Sequence, residues 1–158
     1  MVRFAKEQDL DRVNEIRAQV SALHAAGRPD IFQPGFCQEL RDRAGELLQN
    51  ENSGILVAER DGIVCGMACV EYLVRPESAY CQERRTYYVP EFGVDEAFRR
   101  RGVGRELLAF MRKDALDRGF YRIELDAWTF NKDALKFYEA AGFQTFRKFM
   151  EWDLTADG

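Results

Sequence analysis

Histidine is almost absent from this chain of 158 residues: His24 stands alone. The four cysteines, Cys37, Cys65, Cys69 and Cys81, include no C-x-x-C pair. A zinc centre needs several Cys, His or acidic ligands close together, so no metal is expected. Cys65 and Cys69 lie four residues apart in an apolar run, which predicts buried, reduced thiols on one face of a strand. Long apolar runs are missing too. None approaches the ~18 residues that begin to suggest a membrane span, and the opening MVRFAKEQDL has no apolar signal-peptide core. A cytoplasmic protein without a membrane partner is the expectation. Nor is there a surplus of basic charge. The 23 Lys and Arg are outnumbered by 27 Asp and Glu, a net charge of −4. A nucleic-acid binder carries a basic face, so no nucleic-acid partner is expected. There are no repeats, low-complexity tracts or linkers, and one domain over residues 1–158 follows.

What is present is enough apolar content, 46%, for a core without disulfide or metal staples. Val2–Lys6 reads as a short strand. From Asp9, Leu10, Val13, Ile16, Val20 and Leu23 recur at three- and four-residue steps, an amphipathic helix that stops near Gly27, because Pro29 pushes Arg28 out of the helical region. After the loop RPDIFQPGF a second helix runs from Phe36 to Gln49. Ile55–Glu59 and Ile63–Val74 are strands joined by the hairpin signal Asp61-Gly62, and the second is apolar enough to be covered on both faces. A polar loop spans Arg75 to Arg85. Tyr87–Val94 is a strand containing Pro90 and Gly93, residues that mark bulges and close approaches. A helix covers Gly102–Arg118, with Val103, Leu107, Leu108, Met111, Ala115 and Leu116 apolar and Gly119 at its C′ position. A strand Tyr121–Trp128, a helix Lys132–Ala141 and one or two closing strands over Gln144–Leu154 complete a mixed α/β domain with one central sheet.

The segment from Arg99 to Arg105, RRRGVGR, joins a strand end to a helix start. The first turn of a helix leaves backbone N–H groups unsatisfied and carries partial positive charge. Gly102 and Gly104 admit an anion close to the backbone, and Arg99, Arg100, Arg101 and Arg105 add charge; a pyrophosphate is the natural guest. There is no G-K-[ST] and no complete G-x-G-x-x-G, so neither a P-loop nor a dinucleotide fingerprint is present. By itself the loop is equally a basic helix start facing solvent.

About thirty residues on comes NKDALKFYEAAGF, Asn131 to Phe143. An R-x-x-G-x-G loop after a glycine- and proline-containing strand, a further strand, and then N-x-x-A-x-x-F-Y-x-x-x-G-F resembles the GNAT family of N-acetyltransferases. The likeness is close over Tyr87 to Phe143, and the remaining elements agree in order. It implies the acyl-CoA N-acyltransferase fold: a mixed, mostly antiparallel α+β sheet, splayed between two strands and flanked by helices. The pantetheine arm of acetyl-CoA lies in the splay, between Tyr87–Val94 and Tyr121–Trp128.

The resemblance also implies site residues. Phe92 and Val94 would contact the acetyl and pantetheine groups through their backbones. The segment Arg99, Arg100, Arg101, Gly102, Val103, Gly104 and Arg105 would hold the pyrophosphate. Asn131 would bond the pantetheine arm, and Ala134, Phe137 and Tyr138 would line the cofactor groove. Acyl transfer needs an unprotonated amine, a donor to the oxyanion and a proton for the departing thiolate. Glu91 is the candidate base, with a solvated strand carboxylate as its rival. The Phe92 amide is the candidate oxyanion donor. Tyr138 is the candidate acid, with a core aromatic as its rival. His24, Phe32, Tyr72 and Glu91 are candidate acceptor contacts, and Tyr80, Tyr87 and Tyr88 could line the same cleft. The acceptor would be a small-molecule or peptide amine, and a homodimer is a common assembly among such enzymes. A non-catalytic acyl-CoA sensor or interaction module is the alternative, against which the intact Tyr138, Asn131 and R-x-x-G-x-G speak.

Overall fold

A computed structural model describes residues 1–155. The chain forms two compact units, Met1–Asp126 and a second that begins at Ala127. The described residues of the first hold a five-stranded sheet in sequential order: β1 (Val2–Phe4), β2 (Ser53–Arg60), β3 (Ile63–Arg75), β4 (Arg84–Val94) and β5 (Ile123–Glu124). Neighbours are antiparallel except β4 and β5, which are parallel. The helices of this unit are α1 (Leu10–Gly27), α2 (Gln38–Gln49) and α3 (Val103–Asp117). The second unit contains α4 (Lys132–Ala141). No described helix is long and apolar enough to cross a membrane.

The turn between β2 and β3 places Asp61 and Gly62 at φ of 51° and 77°. Two successive positive φ values match the right-handed twist of the strands. Alternation along β2 then sorts the core. Leu56 and Ala58 pack with Val103, Leu107, Met111 and Ala115 of α3. Ile55 and Val57 pack with Val13 and Ile16 of α1 and Ala44 and Leu47 of α2. The sheet is therefore covered on both faces, and β3, buried along most of its length, reads as nearly continuous apolar sequence for that reason.

Two bulges reset the alternation. In β3, Ala58 pairs with Gly66 but Glu59 with Val64, so Cys65 is the extra residue. The expectation that Cys65 and Cys69 share a face fails here: Cys65 packs on the α3 side and Cys69 on the α1–α2 side. Both are buried free thiols, as expected. In β4, Cys69 pairs with Glu91 and Glu71 with Tyr88, which leaves an extra residue at Val89–Pro90. Proline has no N–H to give to a ladder, so a bulge is where it fits. Tyr87 and Val89 belong to the α3-side core, and after the bulge Phe92 and Val94 pack there. Glu91 and Gly93 turn towards α1. A bulge that re-aims a side chain in this way is common beside active sites.

Two expected strands differ from the structure. The one at Tyr121–Trp128 shrinks to Ile123–Glu124, which pairs only with Tyr87 and Tyr88. The bulge bends β4 just beyond that point, and parallel pairing stops. No strand is found over Gln144–Leu154 among the described residues.

Candidate active site

The carboxylate of Glu91 is the centre of a partly buried cluster. The Arg17 Nε of α1 lies 3.2 Å from its Oε1 and 3.0 Å from its Oε2. The Cys69 thiol donates to Oε2 at 3.2 Å. Burial pushes the Cys69 thiol well up, and the neighbouring Glu91 charge adds to the effect. His24 stacks on Phe32 with ring centroids 5.0 Å apart. Burial lowers the His24 pKa below its usual 6.5, and the negative charge of Glu91 opposes this without cancelling it. His24 of α1 and Phe32 of the following loop are in contact, and His24 feels the charge of Glu91 on β4. Tyr72 stands apart from them: it packs on the α3-side core, with the Arg118 guanidinium 4.1 Å from its ring. Tyr87 lies in the core, with its hydroxyl donating to Asp114 at 2.9 Å. The Tyr88 hydroxyl donates to Asp126 at 2.8 Å, and Tyr80 is exposed.

His24 gives a pH signature. A folded-state pKa below the unfolded one favours the neutral imidazole in the fold. Its contribution is complete above pH 6.5 and is lost as pH falls below that value through the folded pKa. The urea midpoint of unfolding is expected to decline between about pH 7 and pH 5, and to decline less in His24→Asn. Equal slopes in the two proteins would remove His24 as the source.

β4 ends at a second polar cluster. Asp95 is buried and caps the 3₁₀ turn Glu96–Phe98 by accepting from the Ala97 N–H at 2.9 Å. Arg12 donates to the same carboxylate at 2.8 Å, and Gln19 at 3.4 Å; the Gln19 Oε1 accepts from the Glu96 N–H. Burial would raise the Asp95 carboxyl, but the Ala97 N–H and Arg12 outweigh it and hold it below the usual carboxylate range. Sequence reasoning missed Asp95, Arg12 and Arg17 as site residues.

The loop then reaches α3 through Arg100 at φ 62° and Gly102 at φ 80°. Gly102 is the N-cap of α3, and no side chain caps this helix. A Cβ at Gly102 would meet nothing within 4 Å, so its left-handed φ, not crowding, is what favours glycine. Arg99, Arg100, Arg101 and Arg105 are exposed around this opening. The Arg101 guanidinium lies 5.5 Å from the Phe98 ring, and the Arg99 Nε donates to the Val94 carbonyl at 3.4 Å.

Backbone direction along β4 follows from its ladder. The Asp95 N–H donates to Cys65 of β3, and the Tyr87 N–H to Arg122 on the β5 side. Alternation then turns Glu91 and Gly93 towards β3, and Phe92 and Val94 towards the β5 edge. On that edge the described pairing has already ended at Tyr88.

In the second unit, Asn131 caps α4 by accepting from the Ala134 N–H at 3.2 Å. Tyr138 is flanked by Phe137 and by Phe143, the latter edge-on at 5.6 Å. Burial pushes its phenol up to about 12. Gly142 ends α4 at φ 109°. Two concavities in the first unit, of about 300 and 220 Å³, are lined by residues such as Glu46, Asn52 and Glu71, or Phe4, Tyr72 and Arg118, and neither includes Glu91.

The acetyltransferase (GNAT) family model matches residues 4–143. L-ornithine N5-acetyltransferase NATA1 of Arabidopsis thaliana is 32% identical over 74 residues, covering 47% of this chain and 32% of that protein. The matches span less than half the length of the curated relatives. A mutant of the BH1408 protein from Bacillus halodurans superposes with a TM-score of 0.94 at 28% identity, over 98% of this chain and 99% of that one. AAC(6')-Iy, solved with the bisubstrate analogue CoA-S-monomethyl-acetylneamine, superposes with a TM-score of 0.77 at 20% identity, over 97% and 96% of the two chains, a likeness of fold.

Proposed function

This chain belongs to the acetyltransferase (GNAT) family, and from that premise we propose that it transfers the acetyl group of acetyl-CoA to a primary amine by direct attack in a ternary complex. The observation that carries the reading is the course of β4. It leaves β5 after two paired residues, turns the backbones of Phe92 and Val94 towards the opening, and leads into the uncapped, glycine-opened start of α3. A pantetheine arm needs backbone partners along an open strand edge, and a diphosphate needs N–H groups at a helix start. Both lie on one continuous stretch of chain.

In this reading the backbone from Arg99 to Arg105 binds the diphosphate. The Asn131 Oδ1 is spent on the α4 cap, so its amide Nδ2 is the group offered to the pantetheine. Ala134 and Phe137 line the groove. The amine nitrogen attacks the thioester carbonyl, aided by Glu91 as base, directly or through water. The Phe92 N–H bonds the oxyanion. The C–S bond then breaks, with Tyr138 as donor to the departing sulfur.

A small amine is the favoured acceptor class, because relatives and fold neighbours are named for ornithine and aminoglycoside acetylation. Four free thiols suit a reducing cytoplasm. A homodimer is the assembly to test by light scattering; exposed Phe149, Met150 and Leu154 give the second unit apolar surface to cover. The direct functional test is release of free CoA thiol with a panel of amines, polyamines, amino acids and peptides. Amine-dependent release is expected. CoA binding without turnover on any acceptor would favour a sensor instead.

A further inference from the structure

We propose that Arg17 and Cys69 are positioning residues that fix the Glu91 carboxylate on the α1 side of β4. The inference rests on the reading of Glu91 as base. Arg17 is an unusual residue for its place. Its side chain is 2% exposed, whereas that of Glu91 is 34% exposed. A buried guanidinium is costly unless its donors are matched, and here Nε and Nη1 have partners. Nε faces both Glu91 oxygens. Nη1 donates to the Asn14 Oδ1 at 2.8 Å and to the Leu40 carbonyl of α2 at 2.6 Å. The guanidinium also lies 5.3 Å from the Phe36 ring. The planar group is thus tied to α1, α2 and the segment between them, and cannot swing without losing several partners.

Cys69 meets the carboxylate from a second direction. It is the register partner of Glu91 across the β3–β4 ladder, and its thiol donates to Oε2. Burial keeps the proton on this sulfur, so it serves as donor. Two donors from two elements therefore hold one carboxylate, while a third of the side chain stays open to solvent. A merely solvated strand glutamate needs neither. The bulge at Val89–Pro90 is what turns Glu91 into this cradle.

A double-mutant cycle tests the assignment, using acetyl-CoA and the best amine from the panel. Glu91→Gln is expected to lower kcat by about 10²-fold, the low end for a lost general base. Arg17→Met should lower kcat about 10-fold in the parent and less than about 2-fold in the Glu91→Gln background, because a group acting through Glu91 has nothing left to position. Cys69→Ala should follow the same rule with a smaller drop, and KM for acetyl-CoA should hold in all of them. Equal fold-losses in both backgrounds would overturn the positioning role while leaving Glu91 as base. Full activity in Glu91→Gln would overturn the base itself and the proposal with it. If Arg17→Met does not fold, Arg17→Lys, which keeps the charge but loses the planar fork, and Cys69→Ala decide by the same comparison.

Discussion

Tyr138→Phe is expected to slow turnover by ~10²-fold or more with little change in acetyl-CoA binding. The substitution keeps the ring that packs on Phe143 and removes one hydroxyl. Burial holds the phenol up to about 12, so it stays protonated throughout the neutral range. A thiolate of ordinary pKa ~8.5 is a weaker base than such a phenolate. Complete proton transfer to sulfur would therefore run uphill, and in the proposed role the hydroxyl acts chiefly through a hydrogen bond that strengthens as charge develops on the leaving group. The same shift predicts that the pH–rate profile shows no descending limb from Tyr138 near pH ~10, where an ordinary tyrosine titrates. Steady-state thiol release measures the loss, and a thermal melt checks that the variant is folded. An unchanged kcat would remove Tyr138 from the chemistry and leave it as a packing aromatic.

Leu107→Ala should produce the largest loss of stability. Leu107 is fully buried in the α3-side core, among Leu56, Ala68, Val103 and Met111. Emptying such a site costs about 2–5 kcal/mol, the transfer free energy plus that of the cavity. For a chain of this size that lowers Tm by roughly 4–20 °C. Leu116 on the same helix is 44% exposed, and Leu116→Ala should stay within about 0.5 kcal/mol. Equal shifts in the two variants would contradict the packing of α3 described here. The consequence reaches the proposed site, since this face of α3 fixes the helix whose first turn is proposed to hold the diphosphate.

Much of this was legible in the sequence because it rests on local rules. The Asp61-Gly62 hairpin, the apolar stripe of α3 and the glycine at its start each follow from near neighbours in the chain. The two bulges were not all visible. Pro90 announced one, since a proline has few other places in a sheet. The bulge at Cys65 carries no such mark, and it separated two thiols that simple alternation placed together. The polar clusters were missed for a different reason. Arg17 meets Glu91 across 74 positions and Arg12 meets Asp95 across 83, distances at which sequence spacing says nothing. A signal was still available for one of them. Val13, Ile16, Arg17 and Val20 share one face of α1 by helical spacing, and a charge within an apolar stripe asks for a partner.

The most direct measurement is a crystal structure of the protein with acetyl-CoA bound. The predicted result has the diphosphate within hydrogen-bonding distance of the backbone N–H groups around Gly102 and Gly104, and the pantetheine running along the Phe92–Val94 edge. A diphosphate seated on another surface, with the start of α3 left bare, would contradict it.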